Sequence, residues 1–184
     1  MNAARMSFAD SGFAGATTRK IATQAGVVEN LIYKQFGSKQ ALFDVAVVGP
    51  FQDAVDSFIE RWGPRSAAPH SPETTARDYI EALYNMLQDH ADLLIALMKH
   101  GRDERPLLPL LEDLERVAAQ ELAAQEWTGV DIPVLVRLHF GMVAFNAAFG
   151  ESLYPPGELA PNRDRIIAET TAFFVHGTAH RPKG

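Results

Sequence analysis

Between Gly12 and Phe43 the chain reads GFAGATTRKIATQAGVVENLIYKQFGSKQALF, and the spacing within this stretch leaves few folds open. Thr17 or Thr18 offers a hydroxyl that can accept a hydrogen bond from a free amide at the start of a helix. Ile21, Ala22 and Ala25 then form one apolar side. Ala22 is small where a second helix must cross closely, and Gly26, four residues later, suits a turn that needs a positive φ. Val27, Leu31 and Ile32 are expected to supply the apolar side of the next helix. The pattern is that of two short helices crossing steeply over a tight turn, a helix-turn-helix. In such a unit the second helix enters the major groove of double-stranded DNA by its N-terminal half.

The polar residues of that second helix are Glu29, Asn30 and Lys34. Asn30 can pair with both edge groups of adenine, and Glu29 can accept from cytosine or serve as an anion at a helix N-terminus. Lys34 reads either as a base contact or as a solvated cation. Thr17, Thr18, Tyr33 and Lys39 are better suited to phosphates. Tyr33 also reads as a core aromatic, and Phe36 is expected in the core. Ser38 caps a further helix, whose first amides together with the Lys39 ammonium would make an anion site.

Gly12-Phe13, Thr17-Thr18-Arg19, Ile21-Ala22, Ala25-Gly26-Val27, Tyr33, Phe36, Ser38-Lys39 and Leu42 closely resemble the signature of the TetR family of transcriptional regulators. Arg5, Phe8 and Ala9 fit the end of that family's first helix. The resemblance covers about a quarter of the chain. It implies an all-α fold, phosphate contacts from Tyr33 and Lys39, and base reading by the helix from Val28 to Gln35. Val28 stands where the family usually has Ser or Thr, Asn30 where a small residue is common, and Glu29 sets an anion near the DNA. These departures bear on the target sequence and the affinity.

Apolar positions recur at three- and four-residue spacing along the rest of the chain, so the reading is helical throughout. Helices are expected near 2–11, 17–25, 29–36, 38–48, 51–62, 72–90, 91–101, 106–127, 131–153 and 162–179. Gly49-Pro50 should break or bend the chain. Loops are expected at 63–72, 102–109 and 154–161. Two consecutive parts follow: a DNA-binding head at 1–48 and a ligand-binding and dimerisation body at 49–184. The 184 residues carry a net charge of −6. Residues 1–48 hold about +2 of this and the remainder about −8, which keeps attraction to phosphate local to the head.

With no cysteine, disulfides, thiol catalysis and cysteine-bound zinc are excluded. No glycine-rich phosphate loop, Gly-x-Ser-x-Gly or His-Glu-x-x-His motif occurs, so neither an enzyme nor a cofactor is expected. His176 and His180 are four apart, yet nothing nearby completes a metal site, and two histidines at a helix C-terminus favour its dipole. No apolar run reaches the ~20 residues of a membrane helix, and Met1 to Asp10 lack the apolar centre of a secretory signal. A cytoplasmic protein is expected.

In the helix from Asp131, Leu138, Met142, Phe145 and Phe149 form a large-residue side expected to face inward. Gly141, Ala144 and Ala148 form a small-residue stripe that lets another helix approach. The last helix is apolar on two sides, through Ile166, Thr170, Phe173 and Gly177 on one line and Ile167 and Phe174 on another, so it needs two partners. TetR-like proteins dimerise through their last two helices, and these segments match that role. Tyr79, Met86, Met98, Trp127, His139, Met142, Phe145, Asn146 and Phe149 are the residues that would line an apolar effector cavity, with Asn146 and His139 as polar anchors. The resulting expectation is a homodimer that leaves a palindromic operator when a small-molecule inducer binds. A regulator switched by a protein partner, a constitutive one, and a helical enzyme or carrier without DNA binding are the alternatives.

Overall fold

The computed structural model describes residues 1–62, 72–100, 107–124, 129–155 and 161–179, and these are helical almost throughout. Their contacts form two units. One holds Met1–Asp56 and His90–Leu108, the other Ser57–Asp89 and Pro109–Gly184. This grouping differs from a simple division at residue 48, because the short helix near residue 95 packs with the first unit.

The first unit begins with α1 (Asn2–Gly15), which kinks at Gly12, where φ is 67° and ψ 173°. α2 (Thr18–Ala25) is capped by Thr17, whose hydroxyl accepts from the Lys20 amide at 3.3 Å, and ends at Gly26 in the left-handed conformation, as the spacing required. α3 (Glu29–Phe36) starts at Val28, whose side chain makes no capping bond. α4 (Lys39–Phe43) is capped by Ser38, which accepts from the Ala41 amide at 3.0 Å. Instead of breaking at Gly49-Pro50, the chain passes through one wide π turn (Asp44–Val48) into α5 (Gly49–Trp62). The Gly49 amide reaches back to the Asp44 carbonyl, so the ladder has already widened before the proline, which has no N–H to give.

α7 (Ala91–Met98) completes this unit by lying against α1. The break at Gly12 leaves the Ala9 and Asp10 carbonyls at a helix end, and the Lys99 ammonium donates to them at 2.6 and 3.2 Å. The Lys99 stem passes so close that a Cβ on Gly12 would lie 3.1 Å from the Lys99 Cβ. Arg5 donates through two nitrogens to the two Asp92 oxygens, at 3.1 and 3.2 Å. Phe8, Phe13, Phe43 and His100 pack ring against ring, with His100 stacked on Phe43 at 4.2 Å.

The second unit is a helical bundle of α6 (Pro72–Asp89), α8 (Leu108–Ala124), α9 (Ile132–Phe149) and α10 (Arg163–Ala179), with a 3-10 turn at Gly150–Leu153. α6 packs on both α9 and α10. Asp131 caps α9 by accepting from the Val134 amide. Arg163, at the start of α10, donates to Glu81 and Asn85 of α6 at 2.6 and 2.8 Å, which sets where the two helices meet. Arg137 of α9 pairs with Glu115 of α8. Phe58, Ile80, Leu83, Leu87, Leu114 and Ile167 are fully buried.

Several packing expectations are corrected. The inward side of α9 carries Val136, His139, Phe140, Val143 and Ala144. Leu138 and Phe145 instead face outward, 68% and 50% exposed. The two sides of α9 are similarly apolar, so periodicity marked a helix without saying which side its own bundle would use. α9 is also long and apolar enough, by length and composition alone, to cross a membrane, which was not expected from the sequence. Arg137, paired with Glu115, and the buried His139 interrupt its apolar run. In the head, Ala25 is exposed, because α2 turns only Thr18, Ile21 and Ala22 inward. Val27 and Leu31, placed in the core by their spacing, are 38% and 45% exposed, and α3 buries Ile32 alone.

Candidate nucleic-acid interface and effector body

α2 and α3 pack through Ile21, Ala22 and Ile32, all nearly inaccessible, with α1 and α4 behind them. This leaves one side of α3 outward. At 100° per residue, Asn30, Leu31 and Lys34 fall on that side, opposite Ile32 and Phe36, and all three are exposed.

A hydrogen-bonded chain joins the two helices. The Thr18 hydroxyl donates to the Glu29 carboxylate at 2.6 Å and sits 3.1 Å from the Tyr33 hydroxyl. Thr18 is buried, whereas Tyr33 is half exposed. Glu29 is therefore held against α2 rather than extended toward solvent, and Thr17 is occupied as a cap. Lys39 is turned inward as well. Its ammonium donates to the Phe13 carbonyl at 2.8 Å and the Ala16 carbonyl at 3.1 Å, and lies 4.3 Å from the Phe13 ring centroid. The ammonium thus holds the turn after α1 to α4, a role that capping geometry near Ser38 did not suggest. Among the residues expected at DNA, Asn30, Tyr33 and Lys34 are presented outward on one helix.

In the body, Tyr79, His139 and Phe174 come together: ring centroids are 5.9 Å apart for Tyr79 and His139, and 4.4 Å for His139 and Phe174. Burial raises the Tyr79 hydroxyl above its ordinary range and lowers His139 to about 4, so the imidazole is neutral at pH 7. The His139 Nε2 is buried and has no hydrogen-bond partner among the described residues. Met86 is buried in the same bundle.

The other effector-lining expectations are not gathered there. Met98 belongs to the first unit and is 57% exposed, being at the end of α7. Phe145 is exposed and packs on Phe149 at 5.2 Å. Trp127 and His180 lie outside the described residues. Met142 and Asn146 line an open groove between α9 and α10 with Ile166, Thr170, Phe173 and Gly177. The Asn146 amide donates to the Met142 carbonyl of its own helix. Of the expected dimer residues, Gly141, Phe173 and Gly177 are open, whereas Ala144 and Thr170 are buried inside the chain and Phe174 packs on His139. The ties that hold α7 to α1, Asp92 and Lys99 with their partners, were not anticipated. They link residues almost 90 positions apart and leave no local pattern.

A three-helix head with a tight glycine turn and an outward second helix defines a DNA-binding protein of the helix-turn-helix class. Residues 1–46 match the family model described as bacterial regulatory proteins, tetR family. Residues 1–46 therefore carry a DNA-binding domain of the TetR type, the mark of a DNA-binding transcriptional regulator. No match is found among curated proteins. Solved structures similar to it over nearly its whole length include a TetR-like transcriptional regulator from Rhodococcus sp. RHA1, with TM-score 0.73 and 19% identity over 98% of this chain and 93% of that one. FadR from Bacillus subtilis, solved in complex with stearoyl-CoA, has TM-score 0.70 and 17% identity over 96% of each chain. FadR from Bacillus halodurans, a fatty acid degradation regulator, has TM-score 0.70 and 15% identity over 96% of each chain. At these identities the likeness beyond residue 46 is one of fold.

Proposed function

We propose that the chain is a homodimeric repressor that holds a palindromic operator with α2 and α3 of each head, residues 1–48, and leaves it when an amphipathic molecule enters the body, residues 49–184. It would act in the cytoplasm, on chromosomal DNA. The observation that carries this reading is a helix-turn-helix of the TetR type joined to a helical body, in a whole-chain fold shared with FadR of B. subtilis, which was solved with stearoyl-CoA. A long acyl chain, free or as a thioester, is accordingly the first effector class to test. Tyr79 and Phe174 pack against His139, whose Nε2 has no partner among the described residues, and Met86 is buried in the same bundle, which suits a chain with a single polar group. In the bundle, Arg137 and Arg163 are already paired with Glu115 and Glu81, so the proposal concerns the chain rather than an acidic headgroup. Phe173, Gly177, Ile166 and Gly141 would lie at the dimer face. Effector binding would favour a spacing of the two heads that no longer fits successive major grooves, about 34 Å apart.

The test is a mobility-shift titration of the full chain on a selected duplex, with palmitic acid, stearoyl-CoA, coenzyme A and an acyl detergent as probes. Release by the acylated probes, with none by coenzyme A, supports the reading. Retention of DNA with every probe overturns the acyl class and favours a protein-switched or constitutive regulator.

A further inference from the structure

At the start of α3, Val27 and Leu31, which sequence spacing assigned to the core, stand in solvent beside Val28, while Ile32 is buried. Val28 is 72% exposed, Leu31 45% and Val27 38%. They cover the turn and the first turn of the helix, the part of a recognition helix that reaches base edges. Hydration of three clustered aliphatic side chains is unfavourable and is relieved only by another apolar surface. The polar groups nearby do not compete for that place. Val28 brings no hydroxyl to the helix start, and the Glu29 carboxylate is turned away onto Thr18. In the major groove one base-edge group is apolar, the C5 methyl of thymine.

We propose that Val28 and Leu31 are specificity-determining residues that read thymine C5 methyl groups. Asn30, exposed beside Leu31, pairs with the adenine edge of a neighbouring position. Each operator half-site then has a core of A·T pairs, chosen largely through apolar contact. The surface in question is continuous with the matched helix-turn-helix, which commits it to DNA rather than to a protein partner.

The experiment begins by selecting binding sites from random duplexes with the full chain. Each thymine of the selected duplex is then replaced singly by deoxyuridine, which removes the methyl and nothing else. Dissociation constants are read by fluorescence anisotropy at one fixed salt concentration. One or two positions per half-site should lose about three- to tenfold in affinity, the scale of one buried methyl. Leu31→Ala and Val28→Ala should each cut the loss at one position to under twofold, while circular dichroism shows an unchanged helical fold. Uridine substitution without effect at every position, or losses that persist in both variants, overturns the proposal. A selection that enriches no sequence overturns it too, and marks the exposed patch as a protein contact if Leu31→Ala then changes the sedimentation of the chain.

Discussion

The Thr18 hydroxyl gives its proton to Glu29 across 2.6 Å, and it therefore cannot give one to DNA at the same time. Tyr33, whose hydroxyl lies 3.1 Å away, must then be the donor in its contact with Thr18. Phosphate oxygens only accept. Two of the three hydroxyls expected at phosphate, those of Thr18 and Tyr33, are thus committed within the protein, and a carboxylate holds them there. The same carboxylate would repel a phosphate backbone brought close to it. On this geometry Glu29 would restrain affinity, whereas spacing alone allowed it to be a cytosine contact.

Glu29→Gln should therefore tighten binding to the selected duplex by roughly two- to tenfold at low salt, the effect of removing one nearby anion. The gain should shrink as salt is raised. Anisotropy titrations at several salt concentrations measure this. Weaker binding joined to a changed preference at one base pair would return Glu29 to the role of a cytosine reader.

Gly12 and Lys99 make a second long-range pairing with a clear test. Gly12 has φ of +67°, and its missing side chain leaves room for the Lys99 stem. Gly12→Ala meets both the strained backbone and a 3.1 Å approach, and should cost about 1–3 kcal/mol. Lys99→Ala opens that space but leaves the Ala9 and Asp10 carbonyls without their charged donor, for about 1 kcal/mol given its exposure. Thermal unfolding should place Gly12→Ala below Lys99→Ala, and the double variant should fall short of the sum because the two sites touch. Full additivity would mean that the close approach contributes nothing.

Much of the head was legible because local rules wrote it. Thr17 and Ser38 cap helices where capping chemistry places them, and Gly26 turns the chain as an α2–α3 crossing requires. What escaped was the choice of side. Leu31 and Phe145 stand at helical core spacing yet face outward, because a periodic stripe shows only that a helix is amphipathic. It does not tell whether the chain itself, DNA or another subunit covers the stripe. Arg5–Asp92 and Lys99 escaped for another reason: ion pairs and carbonyl caps between distant segments have no sequence period. Lys39 was legible as an important cation, but its inward partners are backbone carbonyls, which any sequence supplies.

The outward apolar residues of α9 and α10 allow a sharper dimer test than buried ones. Phe173 is 71% exposed, so Phe173→Glu leaves the bundle nearly untouched, whereas Phe174→Glu would strike the ring packed on His139. In the proposed dimer the new charge would lose its water. Sedimentation velocity should show Phe173→Glu as a folded monomer at micromolar concentration, with DNA affinity reduced at least tenfold because one head must bind alone. A wild-type chain that sediments as a monomer at the same concentration removes the dimer.

His139 supplies a pH dependence with a definite sign. Burial among Tyr79 and Phe174 lowers its folded-state value to about 4 from the ordinary 6.5. Between these two values the unfolded chain takes up a proton that the folded chain refuses, so folding weakens as the pH falls. Above about 6.5 both states are neutral and the contribution is flat. Below about 4 both are protonated and the loss levels off, at an order of 3 kcal/mol. Carboxylates titrate at the lower end of the same window, so the histidine share is isolated by comparison with a variant. His139→Phe keeps an aromatic ring beside Tyr79 and Phe174 and removes the titrating nitrogen, together with the buried Nε2 that has no partner among the described residues. Urea unfolding from pH 7 to 4 should show the wild type losing more stability than His139→Phe, with most of the difference arising between pH 6.5 and 4.5. Equal slopes would mean that water or a ligand group already satisfies His139 in the folded chain. An acyl ligand whose polar end accepts from or donates to Nε2 should then bind wild type more tightly than His139→Phe, by several-fold at pH 7. Equal affinity would remove His139 as the polar anchor and leave the body's apolar wall to hold the chain unaided.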